Sequence, residues 1–256
     1  MPDPSQERHA GVPSEISKPA ESRAESFVTT VRQQFAETFR QDSKVLKFIK
    51  QLTDGDLTTI YAEWRSQPNW SFENQIGFVN EIIGLRYEEI HHPLNDKERQ
   101  VRDIILFLLQ GSNQNRFFGE QKTNPDGLSI RYGQRLVIDG VIECKMKKPK
   151  DPPELRQKRT VRQTIIYLIQ ILNDFENEEL PQIIREAQQL IRQITESPIT
   201  ISDNLKLIYL LPKDANGIQN EKENIHSEYH GLTPEDIGKI CKIVSGVLKA
   251  QQKEPI

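Results

Sequence analysis

Residues 123–148 read TNPDGLSIRYGQRLVIDGVIECKMKK, and the way this stretch folds decides the rest. Two strand-like runs, Gly127–Tyr132 and Arg135–Lys147, flank Gly133-Gln134, a turn signal. A two-residue turn pairs Tyr132 with Arg135 and, stepping outward, Asp126 with Val141. Side chains alternate along a strand, so Val141, Glu143 and Lys145 fall on one face, and Ile142, Cys144 and Met146 on the other. Asp126 then lies diagonally across from Glu143, with backbones roughly 7–8 Å apart. One register thus turns an apolar face to a core and gathers two acids and a lysine on the other. In the alternative, Asp139-Gly140 makes its own type I′ turn, splits the second strand and separates Asp126 from Glu143.

Working outward, Arg116–Gln121 reads as a preceding strand and Asn204–Leu211 (NLKLIYLL) as a buried one. Helical periodicity runs through Phe27, Val31, Phe35 and Phe39, with Ser22 and Glu25 as a capping box, and through Leu57, Ile60, Tyr61 and Trp64 over Asp56–Trp64. Further helices are expected over 73–89, 96–110, 159–174 and 181–195. A last helix has Thr233 as N-cap, Pro234 at its first position, and Ile237, Ile240, Cys241, Val244 and Leu248 as its inner stripe. The order helix, three strands, helix, helix, strand implies an α/β fold with a mixed sheet. Residues 1–21 are rich in Pro, Ser and charge and read as a disordered tail.

The chain has 256 residues, 36% hydrophobic and 28% charged, and a net charge of -3. That balance suits one soluble domain of ordinary enzyme size and is not the strongly basic signature of many nucleic-acid binders. The distribution is more telling. Between Lys145 and Arg162 lie Lys145, Lys147, Lys148, Lys150, Arg156, Lys158, Arg159 and Arg162, against only Asp151 and Glu154. Beside an acidic site such a run can track a phosphate backbone, although most such runs are simply solvated faces. Cys144 and Cys241 sit at apolar-periodic positions and read as reduced core residues. With no apolar run of membrane length and no signal-peptide layout, a cytoplasmic protein without membrane contact is expected.

Two carboxylates gathered on one face repel unless a proton or cation separates them. Oxygen-only donors favour Mg²⁺ or Mn²⁺, and such an ion can polarise a phosphoryl oxygen and acidify water. Lys145 beside them could orient that water and offset charge on phosphorus. Pro125-Asp126 followed by Glu143-Cys144-Lys145 resembles the signature of the PD-(D/E)XK nuclease superfamily, over roughly residues 74–212. Gln163 and Tyr167, four apart on a helix, resemble the accessory motif of its RecB-type branch.

The resemblance implies a restriction-endonuclease-like core with a mixed central sheet flanked by helices over residues 73–250, and an all-helical N-terminal elaboration over 22–72. It further implies a Mg²⁺- or Mn²⁺-dependent deoxyribonuclease, an endonuclease more than an exonuclease, with Asp126 and Glu143 holding metal, Lys145 assisting the water and Gln163 supporting the lysine or phosphate. Lys147, Lys148, Arg159, Arg162 and Tyr167 would contact DNA, and a symmetric homodimer would suit cutting both strands. Gly84-Leu85-Arg86-Tyr87-Glu88 is similar to the helix that supplies a further metal-binding glutamate in phage recombination exonucleases. Glu88 is therefore the first choice for that role, with Glu81, Glu89 and Glu98 as competitors.

Asp139 reads either as a supporting acid on the face of Glu143 or as a turn residue. His91-His92, His226 and His230 lack a Cys partner at ligand spacing and read as surface histidines. The pairs Trp64/Trp70 and Phe117/Phe118 read as core rather than base-stacking platforms. The rival reading is a non-catalytic protein, a nuclease-fold binding subunit or a helical interaction module, favoured by the near-neutral charge and the unmatched N-terminal helices.

Overall fold

The hairpin at the centre of the sequence forms β1 (Gly127–Tyr132) and β2 (Leu136–Cys144), paired antiparallel. The computed structural model describes residues 20–111, 125–132, 135–147, 153–177, 179–214 and 225–253. The segment Arg116–Gln121, expected as a strand, and the Phe117/Phe118 pair lie outside them. The second strand is continuous through Asp139-Gly140, so no turn divides it.

The register differs from the expected one. Tyr132 pairs with Leu136 rather than Arg135, and an irregularity between Ser129 and Ile130 adds a further offset opposite Asp139. Gly127 therefore pairs with Ile142, which brings Asp126 level with Glu143 instead of Val141. Both offsets act in the same sense, so the side-chain parity near the strand end is preserved while the two acids draw closer.

Two further strands complete a mixed sheet in the order β1-β2-β3-β4, with β3 (Thr200–Pro212) parallel to β2 and β4 (Ile225–His230) parallel to β3. Parallel neighbours need a long crossover, and the chain between β2 and β3 supplies it through α6 (Pro153–Asn173) and α7 (Gln182–Ile194). Helix α6 starts at Pro153, six residues earlier than its periodicity suggested, where proline's fixed φ and missing N–H suit a first turn. Strand β4 was not foreseen. Its sequence IHSEYH lacks an apolar alternation, because an edge strand draws its order from pairing with β3 rather than from two buried faces.

Helices cover both faces of the sheet. On one, Leu128, Ile130, Leu136, Ile138 and Val141 pack with Ile105 of α5 (Asp96–Gly111), with Ile165 and Leu168 of α6, and with Ile184 of α7. On the other, Ile142, Cys144, Ile208 and Leu210 meet Leu85 of α4 (Phe72–His91). Behind α4 lies a second core, in which Val79 and Ile83 join α1 (Ala20–Thr38), α2 (Ser43–Ile49), α3 (Asp54–Ser66) and α8 (Pro234–Lys253).

The expected stripes Phe27, Val31, Phe35, Phe39 and Ile237, Ile240, Cys241, Val244 are buried there, and Trp64 with them. Thr233 caps α8 as its sequence implies, its hydroxyl accepting the Asp236 N–H at 3.2 Å. Helix α2 went unread because seven residues are too few to display a period, although Asp42 caps it by accepting the Val45 N–H at 3.1 Å. Both cysteines are free and buried. Among the described residues no helix is long and apolar enough to cross a membrane.

Candidate active site

Asp126 immediately precedes β1, and its backbone N–H donates to Ile142 O at 3.1 Å. Here the ladder runs out of β1 carbonyls, and the Asp126 side chain substitutes for one: Oδ2 accepts the Cys144 N–H at 2.6 Å. The carboxylate is thereby anchored beside Glu143. Lys145, one residue past the end of β2, sets its Nζ 2.9 Å from Glu143 Oε2. The Lys145 N–H donates to Leu210 O at 3.0 Å, so the backbone beneath the lysine is held by β3.

Helix α4 adds a third acid. It runs close over the sheet because Gly84 has no side chain: a Cβ there would stand 2.8 Å from Cys144 Sγ and 3.4 Å from Leu210 Cβ. Glu81, almost one turn earlier, comes within electrostatic reach of Asp126, Glu143 and Lys145. Burial first, then Asp126 and Glu143, push its carboxyl up to about 7 despite the opposing pull of Lys145. Burial likewise raises Asp126 to about 6; the Cys144 amide resists this and Glu143 reinforces it. Burial works against the Lys145 charge, but Glu143 prevails and holds its pKa above the ordinary value.

Three half-buried acids facing one ammonium make an environment short of positive charge. Burial is the larger cause of the two raised carboxyls, and repulsion among the acids adds to it. The donors are all oxygen and suit a hard divalent ion such as Mg²⁺ or Mn²⁺.

The other sequence candidates fall elsewhere. Glu88 is buried, but its neighbours are His92, whose Nδ1 lies 3.0 Å from Glu88 Oε2, and Glu228 on β4. Among the described residues, this trio is the group of His, Cys, Asp and Glu side chains whose ligand atoms all lie within 4.8 Å of one another. Glu89 is engaged by Arg86 at 2.7 Å and Arg102 at 3.4 Å. Glu98 caps α5 reciprocally with Asn95, accepting its N–H at 2.7 Å. Of the four glutamates weighed in the sequence, Glu81 is within electrostatic reach of Asp126, and Glu88 and Glu89 share with Asp126 the lining of one cavity.

Gln163 and Tyr167 share the exposed face of α6, opposite the buried Ile165, Leu168, Ile169 and Leu172. Lys147 is exposed, two residues beyond Lys145. Lys148 and the side chains of Arg159 and Arg162 lie outside the described residues. Asp139 is not a turn residue: at the bulge within β2 it forms an ion pair with Arg131 of β1.

One histidine expectation is overturned. His230 ends β4 fully buried, its Nε2 3.1 Å from Asn80 Oδ1. His91, exposed as expected, is the last residue of α4, stacked on Tyr87 at 3.9 Å between ring centroids. Trp70, by contrast, is partly buried as expected and meets Phe78 edge-on at 5.5 Å.

Comparison with known proteins returned no matching family model, and no curated protein or solved structure matches the chain.

Proposed function

We propose that this chain is a Mg²⁺- or Mn²⁺-dependent deoxyribonuclease of the PD-(D/E)XK type, with a restriction-endonuclease-like core. The observation that carries the reading is that Asp126, held by the Cys144 amide at 2.6 Å, lies level with Glu143, which Lys145 meets at 2.9 Å, with Glu81 of α4 within electrostatic reach of all three. These four groups come from three separate elements, and the burial of two of the acids is unfavourable unless something cationic repays it.

In this reading Asp126, Glu143 and Glu81 hold the metal ion, which supplies polarisation of a phosphoryl oxygen and a more acidic water. The chain's own groups do the rest. Asp126 is oriented by the Cys144 amide, so its second oxygen remains to face the ion. Lys145, kept protonated by Glu143, is placed to donate to the attacking water or to a non-bridging phosphate oxygen as charge develops there. Water would add to phosphorus and lose a proton to solvent, the bridging P–O bond would break, and the leaving oxygen would take up a proton, giving one phosphate end and one hydroxyl end. Lys147, Lys148, Arg159 and Arg162 would follow the DNA backbone, with Gln163 and Tyr167 on the next helix. The protein is expected in the cytoplasm, and a homodimer would place two such sites on the two strands.

The test is cleavage of linear and closed-circular plasmid DNA with Mg²⁺ or Mn²⁺, by the wild type and by Asp126→Ala, Lys145→Ala and Glu81→Gln. Metal-dependent cutting lost in all three variants supports the proposal, and attack on the closed circle makes it an endonuclease. Full cutting by Asp126→Ala or Lys145→Ala sinks it. A folded wild type that cuts nothing with either metal turns the reading to a non-catalytic DNA-binding or interaction subunit.

A further inference from the structure

The trio at the other end of α4 has its own chemistry. Glu88 lies in the last turn of α4 and His92, four residues on, immediately follows the helix, while Glu228 approaches them from edge strand β4. Their ligand atoms lie within 4.8 Å of one another, and His92 Nδ1 already touches Glu88 Oε2 at 3.0 Å. A tetrahedral Zn²⁺ with bonds of about 2.0–2.2 Å holds its donors roughly 3.5 Å apart, so rotation of side chains alone closes the set.

Charge points the same way. Glu88 is buried and Glu228 half-buried, yet His92 is the cationic partner of Glu88, and among the described residues no ion pair reaches Glu228. The nearby guanidiniums are committed elsewhere, Arg86 to Asp56 and Glu89, and Arg102 to Glu89 and Asp103. Two acids sharing one imidazole leave an uncompensated negative charge in a partly buried place. His92 and Glu88 also line a cavity of about 120 Å³ between α4, α5 and β1, with space for water to complete a coordination sphere. One imidazole nitrogen and two carboxylates form a mixed donor set that favours a first-row transition ion over Mg²⁺.

We infer that Glu88, His92 and Glu228 form a Zn²⁺ site that clips the C-terminal end of α4 to strand β4. Glu81 and Glu88 are seven residues apart on α4, about 10 Å at 1.5 Å per residue. That spacing exceeds the roughly 4 Å of a paired catalytic centre, so Glu81 and Glu88 would not serve one two-metal site, although Asp126 lines the same cavity as Glu88 and His92.

The experiment is Zn²⁺ titration of the full, untagged chain against a chromophoric chelator. It is run in an Asp126→Asn background, which removes one oxygen donor from the first site while keeping an acceptor for the Cys144 amide. One Zn²⁺ per chain is expected. His92→Ala and Glu228→Gln should each weaken it by about tenfold or more, while His91→Ala leaves it intact. Thermal unfolding provides the second readout: Zn²⁺ should raise the melting temperature of the background protein and not of the His92 or Glu228 variants. No Zn²⁺ uptake, uptake unchanged in both ligand variants, or equal competition by Mg²⁺ would overturn the inference. Each of these readings stands whether or not the chain cuts DNA.

Discussion

Replacing Glu81 by glutamine should stabilise the metal-free protein while weakening its response to Mg²⁺. The Glu81 carboxyl moves from 4.5 to about 7 on folding. A group whose folded pKa is raised adds stability that is complete below the unfolded pKa and lost as pH climbs through the folded one. For Glu81 the window therefore runs from about pH 4.5 to 7. At 1.36 kcal/mol per pH unit the loss amounts to roughly 3 kcal/mol once the carboxylate is fully ionised.

Glutamine has nearly the same shape and never ionises, so it escapes that loss. At pH 8.5 Glu81→Gln should exceed the wild type by roughly 3 kcal/mol, or roughly 5–10 °C in a chain of this size. At pH 5, where the wild-type carboxyl is still protonated when folded, the advantage should shrink to roughly 1 kcal/mol. The assay is urea or thermal unfolding at both pH values, each with chelator and with Mg²⁺. Comparing variant with wild type at each pH cancels the titration of every other group. Mg²⁺ should stabilise the wild type at pH 8.5 more than the variant, because Glu81 is one of the expected ligands. An advantage that does not grow with pH would refute the placement of Glu81 against Asp126 and Glu143.

Burial lowers His230 from 6.5 to about 4, so stability should fall by roughly 3 kcal/mol as pH drops through that window; urea midpoints at pH 6.5 and 4.5 should lose this slope in His230→Gln. Gly84→Ala sets a Cβ 2.8 Å from Cys144 Sγ and should cost about 1–2 kcal/mol net of the gain in helix propensity. A double-mutant cycle with Cys144→Ala should recover part of that loss, and strictly additive effects would show that α4 does not ride on β2 there. Arg86 makes paired 2.9 Å bonds to Asp56, the acid that also caps α3, so Arg86→Ala should destabilise by about 2 kcal/mol in denaturant unfolding without altering the Zn²⁺ titration.

What the chain settles alone is what depends on neighbours along the backbone. Glu143 and Lys145 are two residues apart in a strand, and period two puts them on one side however the rest folds, as their 2.9 Å contact bears out. The stripes of α1, α3 and α8 were legible for the same reason, since a run of apolar residues at helical spacing has one good way to be buried.

The remaining features depend on how distant pieces meet. A longer connection and a bulge opposite Asp139 set the hairpin register, and no residue in the stretch announces either. The choice among Glu81, Glu88, Glu89 and Glu98 could not be made from spacing, because α4 presents Glu81 and Glu88 on one face two turns apart. What separates them is which turn lies over the strand ends, and Gly84 decides that by letting the helix descend onto Cys144 and Leu210. Gly84 stands in the sequence within the motif of Glu88; in the fold it lets α4 lie close to Cys144 and Leu210. The grouping of His92 with Glu228 was further out of reach, because it rests on an edge strand with little apolar pattern of its own, ordered by β3. Local periodicity is written in the chain, whereas register and helix height over the sheet follow from packing and emerge only when the faces are brought together.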